Sequence, residues 1–267
     1  MTSAQTMQWL AGLAMCTTFS ALAQPTETRQ TLAPCADTLI ISSDAYNVAP
    51  AHGNAGSIDW LHCQGSDLSV SLGAASFAIA GSRWQVAKVG AVFRTDPRWI
   101  GYLGATAGAG RDAGGSFNYN TVTDGVYVKA GEGVFLQLEH QFFDVAHAHA
   151  NVLRVGVNFP TSSTIRADIN VARSMDGNFE VRLLTARLDW TTPRARPFVG
   201  VSTGRQFSKI YDVAVGLSQR PSSNSKNGFA GVAIPLSSVE LVLAGDRQET
   251  SGARRSTVSL ALKIPFK

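Results

Sequence analysis

The sequence predicts an all-β protein: a transmembrane antiparallel β-barrel of about 14–16 strands, preceded by a cleaved signal peptide. Three observations carry that expectation. The chain opens on an uncharged apolar leader, its remainder alternates apolar and polar residues with a period of two, and its last segment keeps the alternation up to an aromatic residue.

The first 23 residues contain no Asp, Glu, Lys or Arg, and Trp9 to Ala23 form a short apolar stretch ending Ala21-Leu22-Ala23. The two alanines make an A-x-A cleavage site, so residues 1–23 are expected to be removed and residues 24–267 to form one barrel domain. Removal leaves the net charge of +4 unchanged. That charge is small and dispersed, so nucleic acid is not an expected partner. Beyond the leader no window offers the roughly 18 consecutive apolar residues that a spanning helix needs. Export also makes the two remaining cysteines, Cys35 and Cys63, a candidate disulfide.

From about Asp37 onward, apolar residues fall on every second position in segments of roughly ten, the length a tilted strand needs to cross hydrocarbon. In order they are Leu68, Val70, Leu72; Ala87, Val89, Ala91, Phe93; Val134, Leu136, Leu138; Leu153, Val155, Val157, Phe159; and Ile165, Ala167, Ile169, Val171. Val213, Val215, Leu217, then Val239, Leu241, Leu243, and finally Val258, Leu260, Leu262, Ile264, Phe266 complete the series. Short polar turns such as Asp96-Pro97-Arg98 and Gly131-Glu132-Gly133 join them. The stretch from Ser116 to Ala130 reads as one strand or two.

The opposite face of these strands is polar. Lys88, Arg94, Glu139, Arg154, Arg166, Asp168 and Glu180 are the residues expected to face a wet lumen. Arg173, Arg182, Arg187, Arg194 and Arg196 give the middle strands a basic cast, which would favour anions inside a lumen or bind lipid phosphates at its rim. Trp84, Trp99, Trp190, Phe198, Tyr211 and Phe266 lie near strand ends, where an interfacial girdle would sit. The alternation changes phase at Ala74-Ala75 and at Leu183-Leu184, and a β-bulge is expected at each place. The glycine-rich stretch Gly104 to Gly115 lacks the Lys-Ser/Thr ending of a phosphate loop and reads as a strand end and loop.

The segment from Ser256 to Phe266 resembles the terminal strand by which outer-membrane barrels are recognised for assembly. The chain as a whole is similar to YaiO-type barrels and to the barrels of polysaccharide-export porins; Ala45-Tyr46 followed by His52-Gly53-Asn54 matches the YaiO layout. The resemblance implies residence in a Gram-negative outer membrane. It further implies contact with its lipid and lipopolysaccharide, insertion by the barrel-assembly machinery, and partners in polysaccharide export.

One cluster has the residue types of a catalytic or metal site. His147 and His149 stand two residues apart, so an extended chain would put both on one face. His149-Ala150-Asn151 partly resembles the His-x-Ser-Asn element of outer-membrane lipid A deacylases, but the serine is absent. A polar loop between strands is the better account of the pair, and no metal or cofactor is expected. The leading expectation is therefore a conduit, or a component of envelope export, for polysaccharide or small polar solutes. A lipid-modifying hydrolase or acyltransferase is the alternative, and an adhesive barrel with partner-binding loops a third.

Overall fold

A computed structural model describes residues 36–48, 51–79, 82–96, 98–112, 115–145, 148–177, 180–206, 223–250 and 253–266. Its strands are β1 (Asp37–Val48), β2 (Ala51–Gln64), β3 (Leu68–Ile79), β4 (Ser82–Asp96), β5 (Trp99–Asp112), β6 (Gly115–Gly131) and β7 (Val134–Val145). They continue with β8 (Ala148–Pro160), β9 (Ile165–Gly177), β10 (Arg182–Trp190), β11 (Arg196–Gln206), β12 (Ser223–Leu236), β13 (Val239–Thr250) and β14 (Ala253–Phe266).

Each strand pairs with its sequence neighbours, and β1 pairs antiparallel with β14 from Asp37 opposite Phe266 to Val48 opposite Arg255. The sheet is thereby a closed barrel with no free edge, which satisfies every ladder group internally. Ser116 to Ala130 belongs to one strand, β6, which settles the count at 14. An even count places both termini at the same end, called here the terminal end. Tight turns there use glycines in the left-handed region, Gly65 at φ 69° between β2 and β3 and Gly133 at φ 67° between β6 and β7. The expected strand at Val213 to Leu217 lies outside the described residues.

The two faces of the wall have inverted burial. On β14 the apolar residues Val258 and Leu260 are 66% and 46% exposed, while Arg255, Thr257 and Ser259 between them are 1%, 2% and 5% exposed. A water-soluble sandwich would bury the first set. The same holds on Ile58, Leu72, Val89, Leu103, Leu138, Val155, Val171 and Val201, all large, apolar and outward. Surface of that kind around a whole barrel has hydrocarbon as its solvent.

Neither expected bulge is present. Pairing of β3 with β2 and β4 runs without a shift through Ala74 and Ala75, and that of β10 runs straight through Leu183 and Leu184. The phase changes have another cause: at the end far from the termini the apolar residues pass to the inner face. Phe77 is buried there against Trp84, their rings 5.1 Å apart, and Val181 is buried two residues before inward-facing Leu183. Register does shift elsewhere, between Phe93 and Asp96, Lys129 and Gly131, and Asn151 and Val152.

The expected girdle divides accordingly. Trp99 and Phe266 lie exposed on the outer face at the terminal end, with Trp60 beside them, and half-buried Trp190 shares that end. Trp84 and Phe198 are buried inside, because β4 and β11 both turn their even-numbered residues inward. Tyr211 is outside the described residues.

The terminal end also positions Cys63. The Cys63 backbone N–H donates to Asp37 Oδ1 at 2.9 Å, and its Sγ lies 3.4 Å from the Ala36 carbonyl oxygen. Cys35, the other half of the expected Cys35–Cys63 bridge, lies outside the described residues. Mass spectrometry of the unreduced mature protein is expected to find neither thiol alkylated. Alkylation of both would refute the bridge.

Candidate functional site

The inner wall is the place where this chain concentrates chemistry, and glycines decide how. Residues facing each other across three strands form rows, and in several rows the middle residue is Gly. Asp59, Gly73 and Lys88 are such a row on β2, β3 and β4. A Cβ on Gly73 would fall on the Asp59 carboxylate, so its absence lets Lys88 Nζ reach Asp59 Oδ1 at 2.6 Å across the intervening strand. Ser57 Oγ donates to the same carboxylate at 3.0 Å.

Tyr102, Gly125, Glu139 and Arg154 form a longer row over β5 to β8. Gly125 again leaves space, here for the Tyr102 ring, whose hydroxyl donates to Glu139 Oε2 at 2.6 Å. Arg154 Nη1 meets Glu139 Oε1 at 2.7 Å, and Gln137 Nε2 donates to the Tyr102 hydroxyl at 3.2 Å. Glu139 and Gln137 are buried. On β8 and β9, Asn158 and Asn170 both donate to buried Asp168, at 3.3 and 3.1 Å, while Arg166 Nε donates to Asn158 Oδ1 at 3.0 Å.

Further round, Arg187 is 2.7 Å from Asp189 Oδ1 and lies 4.3 Å above the centre of the Phe198 ring. Glu240 holds both Arg196 and Lys263, and Arg255 meets Asp246 at 3.0 Å. Tyr46 donates to Asp44 at 3.3 Å on the neighbouring strand β1. Most of the charged side chains on the wall therefore meet an opposite charge.

Of the glycine-rich stretch, Gly104, Gly108 and Gly110 lie inside β5 and Gly115 opens β6. Gly110 leaves space that a Cβ would take from Trp84 and Phe117, and Gly108 does the same for Val86. A strand end and loop is what the sequence suggests, because strand glycines are rare; here large inner side chains on β4 and β6 require Gly108 and Gly110. Phe77, Trp84 and Phe117 form an inward aromatic cluster at the far end.

Of the residues expected to face the lumen, Lys88, Glu139, Arg154, Arg166 and Asp168 join the networks above, and Arg94 donates from β4 to Ser69 Oγ at 2.6 Å. Glu180 does not join them. It precedes β10, half exposed, with its carboxylate 3.3 Å from the outward Arg205, because the strand begins only at Arg182. The basic residues separate too: Arg187 and Arg196 are internal and neutralised, Arg194 is exposed in the β10–β11 connection, and Arg173 and Arg182 are exposed on the outer face. The anion-favouring lumen expected from them is not what their placement gives.

His147 lies outside the described residues. His149 is on β8, not in a loop, and is exposed on the outward face. His140 also points outward, holding Asp124 and Asn151 at 3.0 Å each. Among the described residues no group of His, Cys, Asp and Glu has the arrangement of a metal site.

No protein-family model and no curated protein matches the sequence. The fold does have counterparts among solved structures. A monoaromatic hydrocarbon channel, CymD, superposes with a TM-score of 0.63 at 9% identity over 99% of this chain and 97% of its own. The toluene transporter TodX of P. putida gives 0.60 at 9% identity over 88% and 91%. A bacterial polysaccharide outer membrane secretin gives 0.52 at 8% identity over 87% and 99%. The chain has the fold of an outer-membrane β-barrel. Outer-membrane barrels make short connections on the periplasmic side and longer ones outside. The longest connection, 207–222, leaves from the far end, so the terminal end of the barrel faces the periplasm and the aromatic cluster faces the exterior.

Proposed function

We propose that the barrel is a passive conduit that lets polar, uncharged or zwitterionic solutes cross the outer membrane. The observation that carries this reading is the inner wall of mutually neutralised charges, from Asp59–Lys88 through Glu139–Arg154 to Asp246–Arg255, inside an apolar exterior. Such a wall offers hydrogen bonds at every level without a net field that would hold an ion. Channels among the solved counterparts support the same class of function.

Passage of an oligosaccharide or polysaccharide is the finer form of this proposal, since a wall of hydrogen-bonding polar side chains suits a solute rich in hydroxyls. Partners in polysaccharide export would then lie at the periplasmic mouth, and insertion would use the assembly machinery through β14. A second reading has its own support. The inward Phe77–Trp84–Phe117 cluster at the outer mouth suits a small apolar solute, as carried by the hydrocarbon channels CymD and TodX.

Reconstitution in a planar bilayer tests the conduit. The folded protein is expected to give stepwise currents with little preference between cation and anion. Folded protein without current would overturn the reading. Liposome swelling in neutral oligosaccharides against uptake of toluene then separates the two solute classes.

A further inference from the structure

The outer face of the extracellular end carries a feature that a conduit does not need. Arg182, the first residue of β10, is the register partner of Arg173 on β9 and of Arg205 on β11. All three point outward and are exposed. Like charges directly opposite on neighbouring strands repel, so three in one row are unfavourable unless an anion lies among them. Among the described residues Glu180 pairs with Arg205 at 3.3 Å and is itself half exposed, and Asp176, at the end of β9, accepts from Asn151.

The arrangement recurs. Arg83 and Arg111 are outward register partners on β4 and β5 at the same end. Lys226, Arg247 and Arg254 add outward cations at that end on β12 to β14, with Glu249 bridging the two arginines at 3.2 Å each. The periplasmic end of the outer wall is different in kind, with Trp60, Trp99 and Phe266 exposed there. One interface is thus dressed with aromatics and the other with guanidinium groups.

Directly below the arginine row, toward the membrane centre, come Val171 and Leu184 as register partners, then Ile169, Ala186 and Val201. Val171, Leu184, Ile169 and Val201 are all exposed. Two residues along a strand are about 7 Å, so a phosphate held by the arginines would set its acyl chains on this apolar strip. Guanidinium forks match phosphate oxygens in pairs, whereas a zwitterionic headgroup would bring its own cation to the same place.

The geometry points to a lipid site on the outer wall: Arg173, Arg182 and Arg205 bind the phosphates of a phosphorylated glycolipid of the lipid A type in the outer leaflet. The site shares no residue with the inner wall and stands whether or not the conduit proposal does. It anchors the barrel at a fixed depth and orientation in an asymmetric membrane, through anionic headgroups found on that side.

Native mass spectrometry of the detergent-solubilised full-length mature barrel tests it, with bis-phosphorylated lipid A as the probe and phosphatidylglycerol as competitor. Lipid A is expected to remain bound and phosphatidylglycerol not to displace it. The triple variant Arg173→Gln, Arg182→Gln, Arg205→Gln is expected to bind about tenfold more weakly or worse, given the worth of each cation at an anionic membrane surface. The matching triple change to Lys, which keeps charge and loses the fork, should fall between. Heat-modifiable gel migration reports folding; if the Gln triple does not fold, Arg182→Gln alone is measured in the same way. Unchanged lipid A binding in the folded Gln variant would overturn the site. So would displacement by phosphatidylglycerol, or an equal loss on Arg98→Gln, which removes a cation from a periplasmic turn.

Discussion

Replacing Glu139 by Ala is expected to destabilise the barrel by about 3–5 kcal/mol, the cost of leaving a buried cation unpaired. The side chains of Arg154 and Glu139 are only 14% and 9% exposed, and Arg154 Nε already lacks a hydrogen-bond partner. Removing the carboxylate also takes the acceptor from the Tyr102 hydroxyl. Changing Glu139 and Arg154 together to Leu removes both charges, and buried pairs replaced in this way are often neutral. Guanidinium unfolding in lipid vesicles, followed by tryptophan fluorescence, measures both variants. Equal destabilisation by the single and the double change would show that the two residues are not coupled. A cost below about 1 kcal/mol for Glu139→Ala would mean that water screens the pair as it does on an exposed surface.

How much of this was legible in the sequence follows from which forces act within one strand and which act between strands. The outward sets on β7, β8, β9 and β14 were readable because hydrocarbon acts on each strand separately, selecting apolar residues at every second position. Val134, Leu136 and Leu138 therefore announce their face without reference to any neighbour. The ion pairs were not readable as pairs. Glu139 and Arg154 are partners because β7 and β8 align in one register, and Asp59 reaches Lys88 only because Gly73 stands between them.

Most of the misread positions share a location, Phe198 near the other end being the exception. Phe77, Trp84 and Leu183 lie toward the extracellular end, where the outer wall leaves hydrocarbon and the selection that gave the period of two its meaning stops. Apolar residues there fill the inner face, and the phase change that suggested bulges is this exchange of faces. Gly108 and Gly110 looked like a loop for a related reason: their purpose is set by Val86, Trp84 and Phe117 on adjacent strands. The arginines of β9 and β10 were visible as a basic cast, but only the register shows Arg173, Arg182 and Arg205 in one outward row.

Placing Arg at Leu260 is expected to prevent most of the chain from assembling, whereas Arg at Ser71 is expected to be tolerated. Leu260 lies in the middle of β14 on the outer face, 46% exposed, with Leu243 as its neighbour on β13. An arginine facing lipid near the midplane costs about 2–4 kcal/mol. The location magnifies that cost, since β14 pairs with β13 on one side and β1 on the other, and a β14 that does not insert leaves two open edges in hydrocarbon. Ser71 faces inward in a row with Gly90 and Gly104, which leaves space for a long side chain that can hydrogen-bond along the polar wall. A register slip of one residue cannot rescue Leu260→Arg, because it would turn Val258, Leu262 and Ile264 inward together. Depth supplies an internal control: Phe266→Arg, at the periplasmic interface, should cost only about 0–1 kcal/mol. Heat-modifiable migration after refolding into vesicles reads all three variants. Equal yields for Leu260→Arg and Ser71→Arg would mean that β14 does not cross hydrocarbon, and yields for Leu260→Arg and Phe266→Arg that match would remove the midplane from Leu260.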